Sequence, residues 1–200
     1  MPPGIATRDA ERTRRRILAA ALKEFSTGGF AGARVDVIAR RAKINKRMLY
    51  HYFGDKEGLF RAVLRHKISE RQNRVAAQAS ENELAISLPV WFKQNCQDTD
   101  WVRLLAWESL QTAGNTVLDE KERRRISRQA TARIKQKQSA GQLRDDVAAT
   151  HLQLAKVSLA MFPLALPQLA RLVTGHSPRD PKFQREYARF LETISSVFHP

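Results

Sequence analysis

A short segment in the first third of the chain carries polar and cationic side chains at a spacing that suits contact with DNA. Lys46 and Arg47 open a predicted helix and can donate hydrogen bonds to guanine O6 and N7, Arg47 in bidentate fashion. Tyr50 and His51, one turn further on, are at the right distance to reach phosphates. Lys56 opens the next predicted helix, where its charge lies beside free backbone N–H groups and favours a phosphate.

The residues around this segment predict two short helices joined by a tight turn. Apolar residues recur at helical spacing over residues 35–42, and Asn45 offers a side-chain oxygen that caps the second helix. Leu49 and Phe53 are predicted to point inward, and Asp55 is a second candidate cap. Two short helices of this kind, the second with a cationic outer face, form the geometry that enters a DNA major groove.

The segment from Arg14 to Leu64 resembles the TetR family of transcriptional regulators. The matching residues, in order, are Arg16-Ile17-Leu18-Ala19-Ala20-Ala21, Phe25, Gly29-Phe30, Ile38-Ala39, Ala42, Leu49-Tyr50-His51-Tyr52-Phe53, Lys56-Glu57 and Leu59. The resemblance implies an all-α fold with an N-terminal three-helix helix-turn-helix domain that binds DNA. A larger C-terminal helical domain is expected to bind a ligand and to dimerise. The candidate DNA-contacting residues are Arg34, Asn45, Lys46, Arg47, Tyr50, His51 and Lys56, and those of the family at matching positions are Tyr50 and His51.

Three residues depart from the family pattern. Ala33 stands where the family usually has Thr, so Arg34 is expected to supply the phosphate contact at the start of the second helix. Lys43 stands at the position of the turn Gly, where a residue with a side chain is expected to carry backbone strain. Arg47 replaces a small residue early in the recognition helix, which changes the expected sequence preference and not the fold.

The charge of the chain is concentrated in its N-terminal part. The 200 residues carry a net charge of +15. Residues 1–74 contain 18 Lys and Arg against 7 Asp and Glu, a net charge of +11, whereas the remainder contributes only +4. This asymmetry indicates that the N-terminal part meets a polyanion, although basic residues that merely increase solubility are the alternative.

The pattern of cysteine and apolar residues predicts a cytoplasmic protein. The single cysteine, Cys96, cannot form an intrachain disulfide and favours a reducing compartment. The N-terminus lacks the apolar stretch of a signal peptide. The longest uncharged apolar run, Val157 to Ala170, is shorter than the ~20 residues of a spanning helix, so no membrane partner is expected.

The predicted organisation has three parts. Residues 1–8 are expected to form a disordered basic arm, residues 9–74 the DNA-binding domain with its linking helix, and residues 75–200 the effector-binding and dimerisation domain. The first helix is predicted from about residue 9 to residue 26. The helices that follow the recognition helix are predicted at about 56–79, 83–97, 101–113, 119–139, 147–173 and 182–198.

The last two predicted helices are candidates for a homodimer interface. The apolar residues assigned to it are Leu166, Leu169, Phe183, Tyr187, Phe190, Leu191 and Ile194. A helix that is apolar nearly all round, as residues 152–173 are, must be covered on several sides. A symmetric four-helix interface between two subunits provides that cover, whereas packing within one monomer is the alternative.

Aromatic residues in the C-terminal region suggest a pocket for a small-molecule effector. The candidate lining residues are Trp91, Trp101, Trp107, Glu108, His151, Met161 and Phe162. Such residues also suit an ordinary core, Glu108 on an apolar stripe needs a partner, and His151 borders an apolar face. The effector is therefore predicted without a chemical identity.

No motif supports catalysis, and neither a cofactor nor a metal is expected. The chain lacks a nucleophile elbow, a zinc-binding HExxH, a glycine-rich phosphate loop and a CxxC. The sequence therefore predicts a ligand-responsive regulator, usually a repressor, that binds a pseudopalindromic DNA operator as a homodimer. Two other classes remain open: an architectural protein that binds DNA without sequence preference, and a small-molecule sequestering protein with a vestigial DNA domain.

Overall fold

The computed structural model describes residues 3–77, 87–111 and 117–199, with side chains for residues 9–74, 87–110 and 117–199. Within those residues the chain is all-α, as predicted, and forms no strand. The helices are α1 (Pro3–Gly32), α2 (Val35–Arg41), α3 (Lys46–Phe53), α4 (Lys56–Ala77), α5 (Leu88–Gln97), α6 (Thr99–Gln111), α7 (Glu120–Ser139), α8 (Ala149–Ala165), α9 (Pro167–Thr174) and α10 (Pro181–Ser196).

The chain divides into two compact units. The N-terminal unit comprises Met1–Ala76 and Arg103–Leu118, and the C-terminal unit comprises Ala77–Val102 and Asp119–Pro200. The division therefore falls near the end of α4 and again inside α6. The assignment of residues 9–74 to DNA binding and of residues 75–200 to effector binding and dimerisation stays a prediction.

The core of the N-terminal unit is built on one face of α1. Ile17, Leu18, Ala21 and Phe25 recur at helical spacing and are almost completely buried. The ring of Phe25 meets Phe60 of α4 edge to face, with 4.9 Å between the ring centroids. An aromatic pair of this geometry contributes about 0.5–1.5 kcal/mol beyond the burial of its area.

Helix α1 begins earlier than the sequence analysis predicted. It starts at Pro3, so the prediction of a disordered arm over residues 1–8 is wrong for residues 3–8, and residues 1 and 2 lie outside the described part. Proline is accepted there because the N–H that it lacks has no helical partner in a first turn. The helix that was predicted to end at about residue 26 is interrupted three residues later, since Gly29 has φ 67° and ψ −175° inside the span of α1.

In the C-terminal unit, α8 packs against α5, α7 and α9, and α5 also packs against α10. The buried ring of Phe92 on α5 lies 4.9 Å from the ring of Tyr187 and 6.5 Å from that of Phe183, both on α10. A second cluster joins α7 to α8 through Ile134 and Leu152. These contacts make α5 and α8 the centre of this unit.

Pro163 interrupts the backbone hydrogen bonds inside α8. Proline lacks the N–H that would donate to the carbonyl of Leu159, four residues earlier. The hydroxyl of Tyr187 donates to that carbonyl instead, at 3.0 Å. The side-chain amide of Asn95, which is fully buried, donates to the next carbonyl, that of Ala160, also at 3.0 Å. Side chains from α10 and α5 therefore satisfy the carbonyls around the break.

The apolar stretch that was predicted as one helix is two helices. The chain breaks at Leu166, which has φ −122° and ψ 65°, and α8 and α9 are bent by 87°. Pro167 explains the break, because a proline disfavours helical backbone in the residue before it. Leu172 and Val173, near the end of α9, are 82% and 77% exposed. Within one chain α9 is therefore not covered on several sides, and its cover by a second subunit stays a prediction.

The other helices lie close to their predicted positions. The helix predicted from residue 83 begins at Leu88 in the described residues. Residues 78–86 and 112–116, which include several predicted helix ends, lie outside the described part. No single helix in that part is both long and apolar enough to cross a membrane; α8 and α9 together are, but they form the bent pair described above.

Candidate nucleic-acid interface and effector region

Helix α3 is held by a cap and by a buried inner residue. Asn45 has extended backbone and accepts a hydrogen bond from the N–H of Met48 at 2.7 Å, so the predicted cap is confirmed. Leu49 is fully buried and Phe53 is half-buried, which fits the predicted inner face. Asp55 caps α4 in the same way, by accepting from the N–H of Gly58.

The outer face of α3 carries the predicted DNA-contacting side chains. Lys46, Arg47 and His51 are exposed, and Tyr50 is 37% exposed. The ammonium of Lys46 lies 6.0 Å from the centroid of the Tyr50 ring. Among the described residues Arg47 has no ion-pair partner, so its guanidinium is available to a base edge. Met48 is also exposed, and sequence reasoning missed it; its apolar side chain is suited to a thymine methyl.

The turn between α2 and α3 ends α2 in a Schellman arrangement. The N–H of Ile44 donates to the carbonyl of Ala39, and that of Lys43 donates to the carbonyl of Arg40. Lys43 has φ 52°, which is the left-handed conformation that glycine adopts freely. The backbone conformation of Lys43 therefore agrees with the strain that was predicted from the sequence.

Two charged side chains of α1 hold the helix-turn-helix. The guanidinium of Arg16 donates to the carbonyl of Ala42 and, at 3.3 Å, to that of Lys43. The carboxylate of Glu24 accepts from the backbone N–H of Arg34 at 3.3 Å and from the guanidinium of Arg41 at 3.1 Å. Glu24 thereby binds both ends of α2. The contacts of Arg16 and of Glu24 could not be predicted from the spacing of residues in the sequence.

Arg34 and Lys56 are placed at helix N-termini, as the sequence indicated. Arg34 is exposed, and its guanidinium donates to Asp36 at 3.2 Å. Lys56 is half-buried, with its ammonium donating to the carbonyl of Ala31 at 3.2 Å and lying 5.0 Å from the centroid of the Phe30 ring. Lys56 is therefore also a structural residue that joins the start of α4 to the end of α1.

Family models match both halves of the chain. Residues 17–63 match the model of bacterial regulatory proteins of the tetR family, and residues 90–191 match a tetracyclin repressor-like C-terminal domain. The chain belongs to the TetR family. As a member of it, this protein is a DNA-binding transcriptional regulator of the helix-turn-helix type.

Individual relatives and solved structures agree with the family. This TetR protein is 32% identical over 182 residues to the HTH-type transcriptional repressor SCO4008 of Streptomyces coelicolor, with 86% of this chain and 88% of that protein covered. The crystal structure of SCO4942 from the same organism superposes with a TM-score of 0.70 at 26% identity, over 93% and 98% of the two chains. The transcriptional regulator FadR from Bacillus subtilis, solved in complex with stearoyl-CoA, shares the fold with a TM-score of 0.67 at 15% identity, over 88% and 96%.

The predicted effector residues of this TetR protein are divided between the two units. Trp107 and Glu108 belong to the N-terminal unit, where Glu108 is buried. The C-terminal unit contains Trp91, Trp101, His151, Met161 and Phe162. Trp101 is buried, and Trp91 and Met161 are half-buried. The assignment of these residues to a pocket stays a prediction.

Two of these residues lie on the surface. Phe162 is 47% exposed. His151, which was expected to border an apolar face, is also exposed, because the inner face of α8 runs through Leu152, Lys156 and Ala160 and leaves residue 151 outside it. The expectation for the surroundings of His151 is therefore wrong.

A buried lysine that sequence reasoning missed lies beside one of the predicted residues. Lys156 on α8 is 4% exposed, and its ammonium lies 4.5 Å from the centroid of the Trp91 ring on α5. Burial, with a smaller contribution from the charge of Arg133, lowers the pKa of Lys156 to about 8. A lysine among apolar residues could have indicated a buried charge. The sequence alone does not show whether that lysine lies on the buried or on the exposed face of α8.

The predicted dimer residues fall into two groups. Phe183 and Leu191 are buried inside their own C-terminal unit, Phe183 beside the ring of Phe92, so their assignment to the partner-facing surface is wrong. They occupy the inner face of α10, which packs on α5. Leu166, Leu169 and Phe190 are between 43% and 48% exposed, and Tyr187 and Ile194 are half-buried. An apolar surface therefore remains on α9 and on the side of α10.

The remaining reactive groups do not form a site. Burial raises the pKa of the Cys96 thiol to about 11, so the thiol stays protonated at neutral pH and is a poor nucleophile. No cluster of His, Cys, Asp and Glu suited to a metal occurs among the described residues. On α7, Arg124 pairs with Glu120 and Arg125 pairs with Glu122, which is consistent with a solvated helix face.

Proposed function

We propose that this TetR regulator is a repressor that binds a pseudopalindromic operator as a homodimer and is released by a small-molecule effector. The observation that carries the proposal is the exposed cationic start of α3, with Lys46 and Arg47 on a helix that Asn45 and Leu49 hold in place. Repression is supported by the similarity to a repressor over most of the chain. Two recognition helices one DNA turn apart, roughly 34–36 Å, then read two half-sites.

The DNA-contacting residues divide by chemistry. Arg47 and Lys46 contact base edges, whereas Tyr50 and His51 contact phosphates. Arg34 and Lys56 add phosphate contacts through their cationic side chains at the starts of α2 and α4. Asn45 acts indirectly, because its oxygen is engaged with the N–H of Met48.

Selection of bound sequences from a random duplex library at near-physiological salt tests this function. We expect an enriched inverted repeat for the full-length protein. Retention without enrichment indicates an architectural protein, and no retention with or without effector indicates a vestigial DNA domain.

Two variants sharpen the DNA assignment. Arg47→Ala is expected to relax the selected sequence at one position of each half-site. His51→Ala is expected to leave the selected sequence unchanged and to weaken binding of all duplexes. Arg185→Ala, which removes an exposed charge on α10, is the matched control and is expected to bind like the parent. An unchanged selected sequence with Arg47→Ala contradicts the base contact.

Dimerisation is proposed through the apolar surface of α9 and α10 that includes Leu169 and Phe190. Phe190→Glu is expected to give a monomer in sedimentation equilibrium, because it places a charge in that surface. Arg185→Glu, an exposed substitution about 140° around α10 from Phe190, is expected to stay dimeric. A dimeric Phe190→Glu protein contradicts this placement of the interface.

The effector is proposed to bind in the region of Trp91 and Trp101, which the sequence singled out. Aromatic side chains suit an apolar ligand, and a neighbour with this fold holds an acyl-CoA. Titration of candidate ligands against tryptophan fluorescence, with release from the selected operator measured in parallel, tests the proposal. Ligands that release the operator but bind equally well to Trp91→Ala and Trp101→Ala variants would place the effector elsewhere.

A further inference from the structure

The turn of the helix-turn-helix contains a backbone conformation that its own sequence does not favour. Lys43 has φ 52°, a value that is costly for a residue with a Cβ atom. The Schellman hydrogen bonds from Ile44 and Lys43 satisfy the carbonyls of Ala39 and Arg40. They do not involve the carbonyls of Ala42 and Lys43, further along the turn, which are left to other donors.

Those two carbonyls are bound by one side chain from a distant part of the sequence. The guanidinium of Arg16 donates to the carbonyls of Ala42 and Lys43, which are 26 and 27 residues away. Arg16 precedes Ile17 and Leu18, which are buried in the core, so its backbone is fixed in the rigid part of α1. Both hydrogen bonds come from one guanidinium nitrogen, Nη2, so one cationic group on a fixed helix holds two successive carbonyls.

We propose that Arg16 is a positioning residue for DNA recognition, which holds the strained turn at Lys43 and so fixes the direction of α3. Asn45, the cap of α3, follows Lys43 by two residues, so a rotation of the turn peptides moves Lys46 and Arg47 relative to the DNA. Arg16 acts through the turn and does not need to touch DNA. The proposal goes beyond the function above, which assigns Arg16 no role.

A competing role for Arg16 is a direct phosphate contact, because its side chain is exposed. The two roles predict different salt dependence and different rescue. Loss of a phosphate contact lowers by about one the slope of the logarithm of the binding constant against the logarithm of the salt concentration (the salt slope). The affinity lost in this way cannot be restored by a substitution in the turn. Loss of a positioning contact leaves the salt slope unchanged and is restored by any change that removes the strain.

A double-mutant cycle between residues 16 and 43 tests the proposal. The variants are Arg16→Gln, Lys43→Gly and the double variant, measured for affinity to the selected operator over a salt series and for thermal unfolding. Arg16→Gln is expected to weaken operator binding about tenfold, the size expected for losing hydrogen bonds from a charged donor. Lys43→Gly alone is expected to bind like the parent. The double variant is expected to regain most of the lost affinity, because glycine adopts the turn conformation without help.

Matched controls separate this role from general charge and stability. Arg15→Gln removes the same charge from an exposed neighbour on α1 and is expected to bind within about twofold of the parent, since surface substitutions usually change little. Arg16→Lys, which keeps the charge but not the rigid planar guanidinium, is expected to bind with an affinity between those of the parent and Arg16→Gln. Arg16→Gln that binds like the parent, or that loses about one unit of salt slope without rescue by Lys43→Gly, overturns the proposal.

If no operator is selected, the proposed function fails first. Thermal unfolding then tests the cycle alone: a smaller loss from Arg16→Gln in the Lys43→Gly background supports the coupling, and an equal loss overturns it.

Discussion

The two units each contain a place where a helix is interrupted, and each uses side chains from another helix to satisfy the carbonyls left there. At the turn after α2 the donor is the exposed guanidinium of Arg16. Around Pro163 in α8 the donors are the hydroxyl of Tyr187 and the buried amide of Asn95. A cation is used where water is close, and neutral groups are used where it is not.

The difference follows from the cost of desolvation. A charged group at the surface keeps part of its hydration while it holds a carbonyl, so little is lost if it leaves and water replaces it. A buried carbonyl whose partner is removed has no such replacement, and it costs about 1–3 kcal/mol. We therefore expect the loss of a donor at the α8 break to act mainly on stability, and the loss of the Arg16 donor at the turn to act mainly on DNA binding.

The largest expected effect comes from the buried cation of the C-terminal unit. The folded pKa of Lys156 is about 8, below the ordinary value of 10.5, so between these pH values the unfolded chain binds more protons. The free energy of unfolding is then expected to rise with pH across that window, by roughly 3 kcal/mol from this residue. Lys156→Met is expected to lose that rise in urea titrations at pH 7 to 10.5. Lys135→Met, an exposed substitution on α7, is the control and is expected to keep it. A parallel pH dependence of the parent and Lys156→Met proteins would contradict the burial of this charge.

Asn95→Leu tests the buried donor at the break. It leaves the carbonyl of Ala160 without that donor and is expected to lower the free energy of unfolding by about 2–3 kcal/mol in denaturant titration. Gln97→Leu, on the exposed side of the same helix, is expected to change it by less than about 0.5 kcal/mol. Equal effects of the two substitutions would contradict a stabilising role for the buried hydrogen bond from Asn95.

Tyr187→Phe tests the second donor at the α8 break, the hydroxyl of Tyr187, and Pro163→Ala provides the control background. It removes the hydrogen bond to the carbonyl of Leu159 but keeps the ring contacts with Phe92 and Phe183, so a loss of about 1 kcal/mol is expected. In a Pro163→Ala background, residue 163 regains an N–H that can donate to the same carbonyl. The cost of Tyr187→Phe, measured by thermal unfolding, is expected to shrink there. An unchanged cost would mean that Tyr187 does not compensate for the proline.

The smallest expected effect is at the turn itself. Lys43→Gly is expected to raise the free energy of unfolding by about 0.5–1 kcal/mol, because it removes the strain of the left-handed conformation. Gly175 ends α9 with φ 74°, so Gly175→Ala is expected to have the opposite sign and a similar size. Denaturant titration of both variants checks the pair. A destabilised Lys43→Gly protein would contradict the strain at the turn.

Local features of the fold could be predicted from the sequence. The stripe of α1, the bounds of α3 and the cap at Asn45 depend on residues a few positions apart, where periodicity and capping chemistry are informative. The strained turn at Lys43 could also be predicted, but from the family pattern, because the family has glycine at that position.

The contacts that complete the site could not be predicted, because their partners are far apart in sequence. Arg16 lies 26 residues from Ala42, and Asn95 lies 65 residues from Ala160. Phe183 and Leu191 were wrongly assigned to the dimer interface for a different reason. Leu191 and Phe190 are both apolar residues on α10, and only the packing of α10 on α5 shows that one is buried and the other exposed.

The carboxylate of Glu24 restricts how this domain can vary. One of its oxygens binds the guanidinium of Arg41, and the other binds the backbone N–H of Arg34. A charge swap between positions 24 and 41 would restore the ion pair but would present a cation to the backbone N–H of residue 34, which every residue except proline carries. Position 24 is therefore limited to side chains that accept hydrogen bonds, whatever residue occupies position 41.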